Sequence, residues 1–305
     1  MPSWYAARAV AEHRIRGIIP PVTTPFDENG NLDEGALARQ CRWLLDRGVH
    51  AVTVAGSTGE GHTLSGDEVR QAAAAALAAV DGRMPVIAGV IASSTRDAVR
   101  RAAALTDLGV AALQVTPVHY LFRPDDDAML EFFRAATEQS GLPVIIYNVV
   151  PWSYLAPDLL CRILCEVPGV IGVKQSAGDL KLLADLLREA PEESLILTAV
   201  DAMLYPSFAL GAHGAVAAIL SAAPAACVAL WDAVASGDQR LALDLHGRLL
   251  TLWNALDGHN LPACVKHAQS LQGYPAGLPR APMSTADAAQ QQAIAAALAA
   301  LDSVG

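Results

Sequence analysis

Lysine is scarce in this chain. Three lysines, Lys174, Lys181 and Lys266, stand against eighteen arginines in 305 residues. Charged residues of all kinds make up only 17% while 53% of the chain is hydrophobic, which excludes a disordered chain and allows one large core. Positive charge is in deficit as well: 21 Lys and Arg face 31 Asp and Glu, a formal net charge of −10. That sign is wrong for a sequence-independent grip on phosphate backbones, so nucleic acid is not expected as a partner. The five cysteines (Cys41, Cys161, Cys165, Cys227, Cys264) are odd in number and form no CxxC pair, so neither a disulfide framework nor a zinc site is suggested and a reducing cytoplasm is expected. No apolar run approaches the roughly 20 residues of a membrane helix. The segment 1–16 is broken by Arg8, Glu12, His13, Arg14 and Arg16 and lacks the apolar centre of a secretion signal. A cytoplasmic protein without a membrane partner is expected.

What the chain does have is alternation. Short runs rich in Val, Ile, Leu and Ala recur at Gly17–Thr23, Ala51–Gly56, Pro85–Val90, Ala111–Thr116, Pro143–Asn148, Val170–Gln175, Leu195–Val200 and Gly214–Leu220. Between them, Asp33–Asp46, Gly66–Val80, Thr95–Leu108, Asp125–Gln139, Pro157–Glu166, Asp179–Glu189 and Met203–Leu210 carry apolar residues at helical spacing. Helix starts are marked by Ser65 before Glu68, by Ser94 before Asp97 and by Asp125. Strands that are apolar on both faces belong to a parallel sheet covered on both sides. Eight such units predict an α/β fold, a (β/α)8 TIM barrel over residues 17–223. A doubly wound open sheet is the alternative, but its GxGxxG signature is missing from the first βα turn. After Leu220 the strand signals stop. Pro224–Leu256 and Ser284–Leu301 read as helix around a Gly/Pro-rich stretch near Gly273–Pro282, so residues 224–305 are expected to form a C-terminal helical extension and residues 1–16 a short N-terminal one.

The three lysines have different settings. Lys181 lies in an exposed helix and Lys266 in the helical tail beside His267, whereas Lys174 ends the apolar run Val170-Ile171-Gly172-Val173. An ammonium is rarely buried without a partner or a use. One use fits a strand at the centre of a barrel: burial favours the neutral form of an amine, which then attacks a carbonyl carbon and forms a Schiff base. Strand alternation puts Val170, Gly172 and Lys174 on one face, with Gly172 leaving room beneath the amine. A structural lysine paired with a carboxylate is the plainer alternative.

Two further signals accompany it. Gly56-Ser57-Thr58-Gly59-Glu60 follows the second strand; a tight βα loop at a strand's carboxyl end offers backbone N–H groups to an anion such as a carboxylate, although the same residues are ordinary turn formers. Tyr147 ends the fifth strand, beside the strand of Lys174, where a phenol can carry protons or simply fill the core.

Together these residues resemble the dihydrodipicolinate synthase and N-acetylneuraminate lyase family of class I aldolases. The resemblance spans about residues 14 to 300 and rests on Pro21-Val22-Thr23-Thr24-Pro25-Phe26, Gly56-Ser57-Thr58-Gly59-Glu60, Thr116-Pro117, Tyr147-Asn148-Val149 and Gly172-Val173-Lys174-Gln175-Ser176. It implies a small-molecule 2-oxo acid substrate, pyruvate or a compound that releases it. It further implies an iminium on Lys174, proton transfer by Tyr147 relayed through Ser57, and carboxylate binding by Ser57 and Thr58. Gly59, Ser176 and Asp201 complete the substrate-binding set so implied. No metal or organic cofactor is expected, because the iminium is itself the electron sink, and the assembly implied is a homotetramer, a dimer of dimers.

There are departures. The loop after Tyr147 reads Val150-Pro151-Trp152-Ser153-Tyr154, without the arginine the synthases carry there. Val118-His119-Tyr120 replaces their tyrosine pair, and Asp201-Ala202 replaces the Asp-Glu pair of the sialic acid lyases. Trp152 and Tyr154 point to an aromatic or less polar substrate tail. The reading is a lyase or aldolase. Dehydration of a 2-keto-3-deoxy sugar acid through the same iminium is the alternative within the fold, and a non-catalytic sensor is the alternative outside catalysis. A phosphate-handling barrel would want a Gly-rich loop that neither Asp201-Ala202-Met203 nor Ser221-Ala222-Ala223 supplies.

Overall fold

The computed structural model describes residues 15–274 and 276–302, so most of the expected extension 1–16 lies outside the described residues. Eight strands form the sheet: β1 Gly17–Ile18, β2 Val52–Val54, β3 Val86–Val90, β4 Ala112–Val115, β5 Val144–Asn148, β6 Val170–Gln175, β7 Leu195–Thr198 and β8 Gly214–Ala215. Every pairing between them is parallel, in the order β1-β8-β7-β6-β5-β4-β3-β2. Past β1, Pro21 bridges to Thr53, the Val22 N–H donates to the Thr53 carbonyl at 2.8 Å and the Thr53 N–H donates to the Pro20 carbonyl at 3.0 Å. These bonds join the two ends of the sheet into a barrel.

The intervening helices are α1 Glu34–Leu45, α2 Gly66–Val80, α3 Thr95–Ala103, α4 Asp126–Ser140, α5 Pro157–Glu166, α6 Leu180–Glu189 and α7 Leu204–Ala209. Their starts follow from local chemistry. Asp33, Ser65, Ser94 and Asp125 each accept a first-turn backbone N–H, and Ser65 with Glu68 closes a full capping box. Beyond the barrel lie α8 Ile219–Ala222, α9 Pro224–Ser236, α10 Gln239–Leu256, α11 Leu261–Leu271 and α12 Ala288–Asp302. No helix among the described residues is long and apolar enough to cross a membrane.

The barrel is filled twice over. Strand residues facing the helices join one large core. Those facing inward, among them Ile19, Ala51, Ile87, Ala112, Ile145, Ile171, Leu197 and Val216, form a separate apolar plug, as the alternate-strand layering of a parallel barrel requires.

Several expected boundaries move. The first and eighth strands are predicted over seven residues each, yet regular pairing ends at Ile18 and Ala215. Consecutive prolines after Ile19 withdraw the N–H donors that a longer first strand would need, and the chain after β8 turns into α8 at Ile219. The helix expected over Pro224–Leu256 breaks at Gly237, which adopts φ +77 as the C-cap of α9. The last helix begins at Ala288 rather than Ser284.

Two histidines brace the amino ends of the strands in the same way. The His50 N–H donates to the Ile18 carbonyl while its ring Nδ1 accepts from the Ile18 N–H at 3.0 Å; the His213 N–H and Nδ1 do the same to Ile196. Burial pulls both imidazoles below their usual pKa, in keeping with Nδ1 serving as an acceptor. A group whose pKa is depressed on folding contributes stability at pH above its unfolded value, near 6.5 for histidine, and that contribution is lost as pH falls through the folded value. Between pH 7 and 5 the melting temperature of the wild type is therefore expected to fall by a few degrees relative to His50→Asn/His213→Asn, whose amide oxygens stay acceptors, at about 1 kcal/mol per bond. Parallel pH–melting curves would refute this.

Candidate active site

The loop after β2 is held by close backbone packing. Ala55 adopts φ +56, a conformation that costs a non-glycine residue about 1–3 kcal/mol. It turns its carbonyl toward β3, where a Cβ on Gly89 would sit 2.2 Å from the Ala55 oxygen. Glycine at 89 is what lets Gly56-Ser57-Thr58-Gly59-Glu60 fold across the barrel mouth. Within the loop, the Glu60 and Gly61 N–H groups bond back to the Ser57 and Gly56 carbonyls. Those of Thr58 and Gly59 have no partner among the described residues. The loop therefore presents two free donors, as an anion-binding turn should.

Tyr147 and Lys174 are register partners on β5 and β6. Both are buried, and the Lys174 Nζ lies 3.9 Å from the centre of the Tyr147 ring. The Tyr147 hydroxyl donates to Ser57 Oγ at 2.9 Å and accepts from the Ser57 N–H at 3.2 Å. Burial alone would raise the pKa of this phenol; the Lys174 charge and the two Ser57 contacts outweigh it, and the net shift is downward. A polar hydroxyl chain thus runs from the amine's neighbour to the loop.

The sixth strand departs from simple alternation. The β5–β6 register pairs Val144 with Val170 but Ile145 with Gly172, so Ile171 is a bulged extra residue. Ile171 consequently joins the inner plug and Val170 the outer core. Val170 therefore does not share the face of Gly172 and Lys174, which stay in step opposite Ile145 and Tyr147. Nor does Gly172 make room beneath the amine: a Cβ there would meet the Leu195 carbonyl at 2.1 Å, so glycine is needed for the close approach of β7.

Asp201 lies at the start of a short 3-10 turn after β7 and accepts the Ile219 N–H at 2.8 Å. Burial pushes its carboxyl up to about 6, against the opposing pull of that N–H and of the Lys174 charge. Thr58 is buried in the loop, and the Ser176 hydroxyl is a buried oxygen without a hydrogen-bond partner. Trp152, 72% exposed, donates its indole N–H to the His119 carbonyl at 2.7 Å, and the Tyr154 hydroxyl donates to the Ser176 carbonyl at 3.2 Å. These aromatics tie the fifth loop to its neighbours on both sides. Among the described residues no three His, Cys, Asp or Glu side chains gather where they could hold a metal ion.

Two features of the site's surroundings were not legible in the sequence. Lys266, expected in a helical tail, is buried and makes an ion pair with Glu60 of the loop at 2.7 Å. Gln114, inside the run taken as the fourth strand, is wholly buried, and neither its Oε1 nor its Nε2 has a partner. A lone amide at an inward position of an apolar strand was the available signal.

An eight-stranded parallel barrel with lysine, tyrosine and serine gathered at the carboxyl ends of its strands is the plan of a lyase of the class I aldolase type. The chain belongs to the dihydrodipicolinate synthetase family, whose model matches residues 14–301. It is 34% identical over 276 residues to the 4-hydroxy-tetrahydrodipicolinate synthase of Methanopyrus kandleri, covering 90% of this chain and 92% of that one. Among solved structures, dihydrodipicolinate synthase from Aquifex aeolicus superposes with a TM-score of 0.88 at 26% identity, covering 94% of this chain and 98% of the other. A prophage protein of the dihydrodipicolinic acid synthase family from E. coli K12, solved in complex with pyruvate, gives a TM-score of 0.89 at 26% identity, over 94% and 99% of the two chains.

Proposed function

We propose that this protein is a Schiff-base-forming lyase or aldolase that acts on pyruvate or a related 2-oxo acid through an iminium on Lys174. The observation that carries this reading is the buried Lys174 amine lying against Tyr147, whose hydroxyl is bonded to Ser57. The solved relative in complex with pyruvate supports the choice of substrate class.

The free N–H groups of Thr58 and Gly59, with the Ser57 and Thr58 hydroxyls, hold the substrate carboxylate. The Lys174 ammonium gives up a proton to the Tyr147–Ser57 chain and its nitrogen attacks the ketone carbon; a proton returned by Tyr147 lets the former carbonyl oxygen leave as water, and a C=N bond replaces the C=O bond. The cationic iminium then accepts the electron pair released when a bond to the adjacent carbon breaks. Ser57 accepts from the Tyr147 hydroxyl and so passes protons between it and the loop. Asp201, in the turn after β7, contacts the polar end of the substrate, and Ser176, just past β6, offers its unpartnered hydroxyl. The chemistry calls for no added cofactor.

The exposed Tyr120, Leu121, Phe122 and Trp152 make an apolar face that a second copy would cover in a homotetramer, and a chain whose five cysteines are free suits the cytoplasm.

Borohydride reduction with pyruvate followed by peptide mass spectrometry tests the reading. Expected is a reduced adduct on Lys174, formed roughly 10²–10⁴ times more slowly in Tyr147→Phe. Failure to trap any of a broad panel of 2-oxo acids would sink it and favour a sensor on the same barrel.

A further inference from the structure

Gln114 occupies the inner face of β4, two residues beyond Ala112 of the apolar plug. Its register neighbours are Gly89 on β3 and Ile145 on β5. Gly89 has no side chain, which leaves the amide unscreened toward the loop after β2. A Cβ placed on Gly56 would lie 3.8 Å from Gln114 Nε2 and 4.0 Å from the Tyr147 hydroxyl. The amide nitrogen and the phenol thus both border Gly56, at the foot of the loop.

An amide buried with neither atom bonded is costly, and a leucine or methionine in its place would carry no such penalty. The hydroxyls of Thr53, two residues beyond the plug residue Ala51, and of Thr116, two beyond Gln114, are also buried and unpartnered. Thr53 and Gln114 are register partners of the plug residues Ile87 and Ile145, so both belong to the inner face. The groups around the loop are mainly donors: the Thr58 and Gly59 N–H groups, the Gln114 NH2 and the hydroxyls. An acceptor-only group matches them, and a carboxylate is such a group.

We propose that Gln114 is a specificity-determining residue whose NH2 donates to the carboxylate of the substrate seated on the Ser57–Gly59 loop. The assignment rests on the Schiff-base reading above and adds the group that selects an acid over a neutral ketone.

The test is the concentration of pyruvate, and separately of methyl pyruvate, that half-saturates borohydride trapping on Lys174. Wild type, Gln114→Met and Gln114→Glu are compared. Half-saturating pyruvate is expected to rise at least tenfold in Gln114→Met and further in Gln114→Glu, where like charges meet, while the neutral ester stays within twofold of wild type. Should Gln114→Met fail to fold, Gln114→Asn, which withdraws the amide by one methylene, is expected to give the same selective rise. An unchanged preference for pyruvate over the ester overturns the assignment, as does a loss shared equally by both compounds. Wild type that traps neither compound overturns the Schiff-base reading and this assignment with it, an outcome distinct from either of the others.

Discussion

Lys174→Met is expected to abolish the trapped adduct and to lower turnover by at least about a thousandfold, because no neighbouring group supplies a second amine. Lys181 is exposed and paired with Asp185, and Lys266 is held by Glu60. The fold should survive. Methionine has a similar length, and removing a buried ammonium also removes the desolvation penalty of its charged form. The aromatic face of Tyr147 loses a cation and gains a thioether, which it also accepts. The melting temperature should be equal to that of the wild type or higher. Undiminished turnover in the folded variant would end the Schiff-base account, and gross unfolding would show that the amine is structural.

The second large effect is on stability, and it comes from the C-terminal helices. Lys266→Met is expected to destabilise the protein by about 3–5 kcal/mol, because Glu60 is left charged in the core without its partner. That corresponds to a melting temperature lower by roughly 6 to 10 °C. Lys266 Nζ bonds both Glu60 Oε1 at 2.7 Å and the Leu278 carbonyl at 2.6 Å, and the Arg280 N–H donates to Glu60 Oε2 at 2.8 Å. The Arg280 guanidinium also donates to the Gly30 and Thr63 carbonyls and pairs with Glu68. Residues more than two hundred positions away thus fasten the loop that carries Ser57 and Thr58. The double variant Glu60→Gln/Lys266→Met should regain much of the lost stability, since it removes both charges. A cycle in which the two substitutions add independently would show that the pair is not coupled.

The C-terminal segment therefore holds the loop after β2, a role that composition could not disclose. Alanine-rich periodicity identified α12 as helical, yet said nothing about which surface it covers; it packs against α10 and α11. The break at Gly237 illustrates the same limit, since a glycine interior to an apolar period is tolerated in some helices and ends others.

Legibility followed the range of the interactions. Ser65, Ser94 and Asp125 start helices through bonds to residues three positions on, and those starts could be read directly. Tyr147 and Lys174 were legible as a pair because adjacent parallel strands bring their ends together. The bulge at Ile171 was not, because the register of β5 against β6 is set by the packing of both faces. Gln114 stood in plain view within an apolar run, but its lack of partners is a property of everything around it.

By itself the sequence determined the alternation of strand and helix, the parallel barrel and the place of Lys174 in an apolar strand, because hydrophobic period, capping residues and the company of apolar residues are properties of neighbours along the chain. Only the tertiary structure decided that a second lysine is buried against Glu60, that Gly172 serves a strand contact and that Gln114 faces the loop unpartnered. Those facts depend on which distant groups displace water from one another, and burial of that kind is fixed only when the barrel closes.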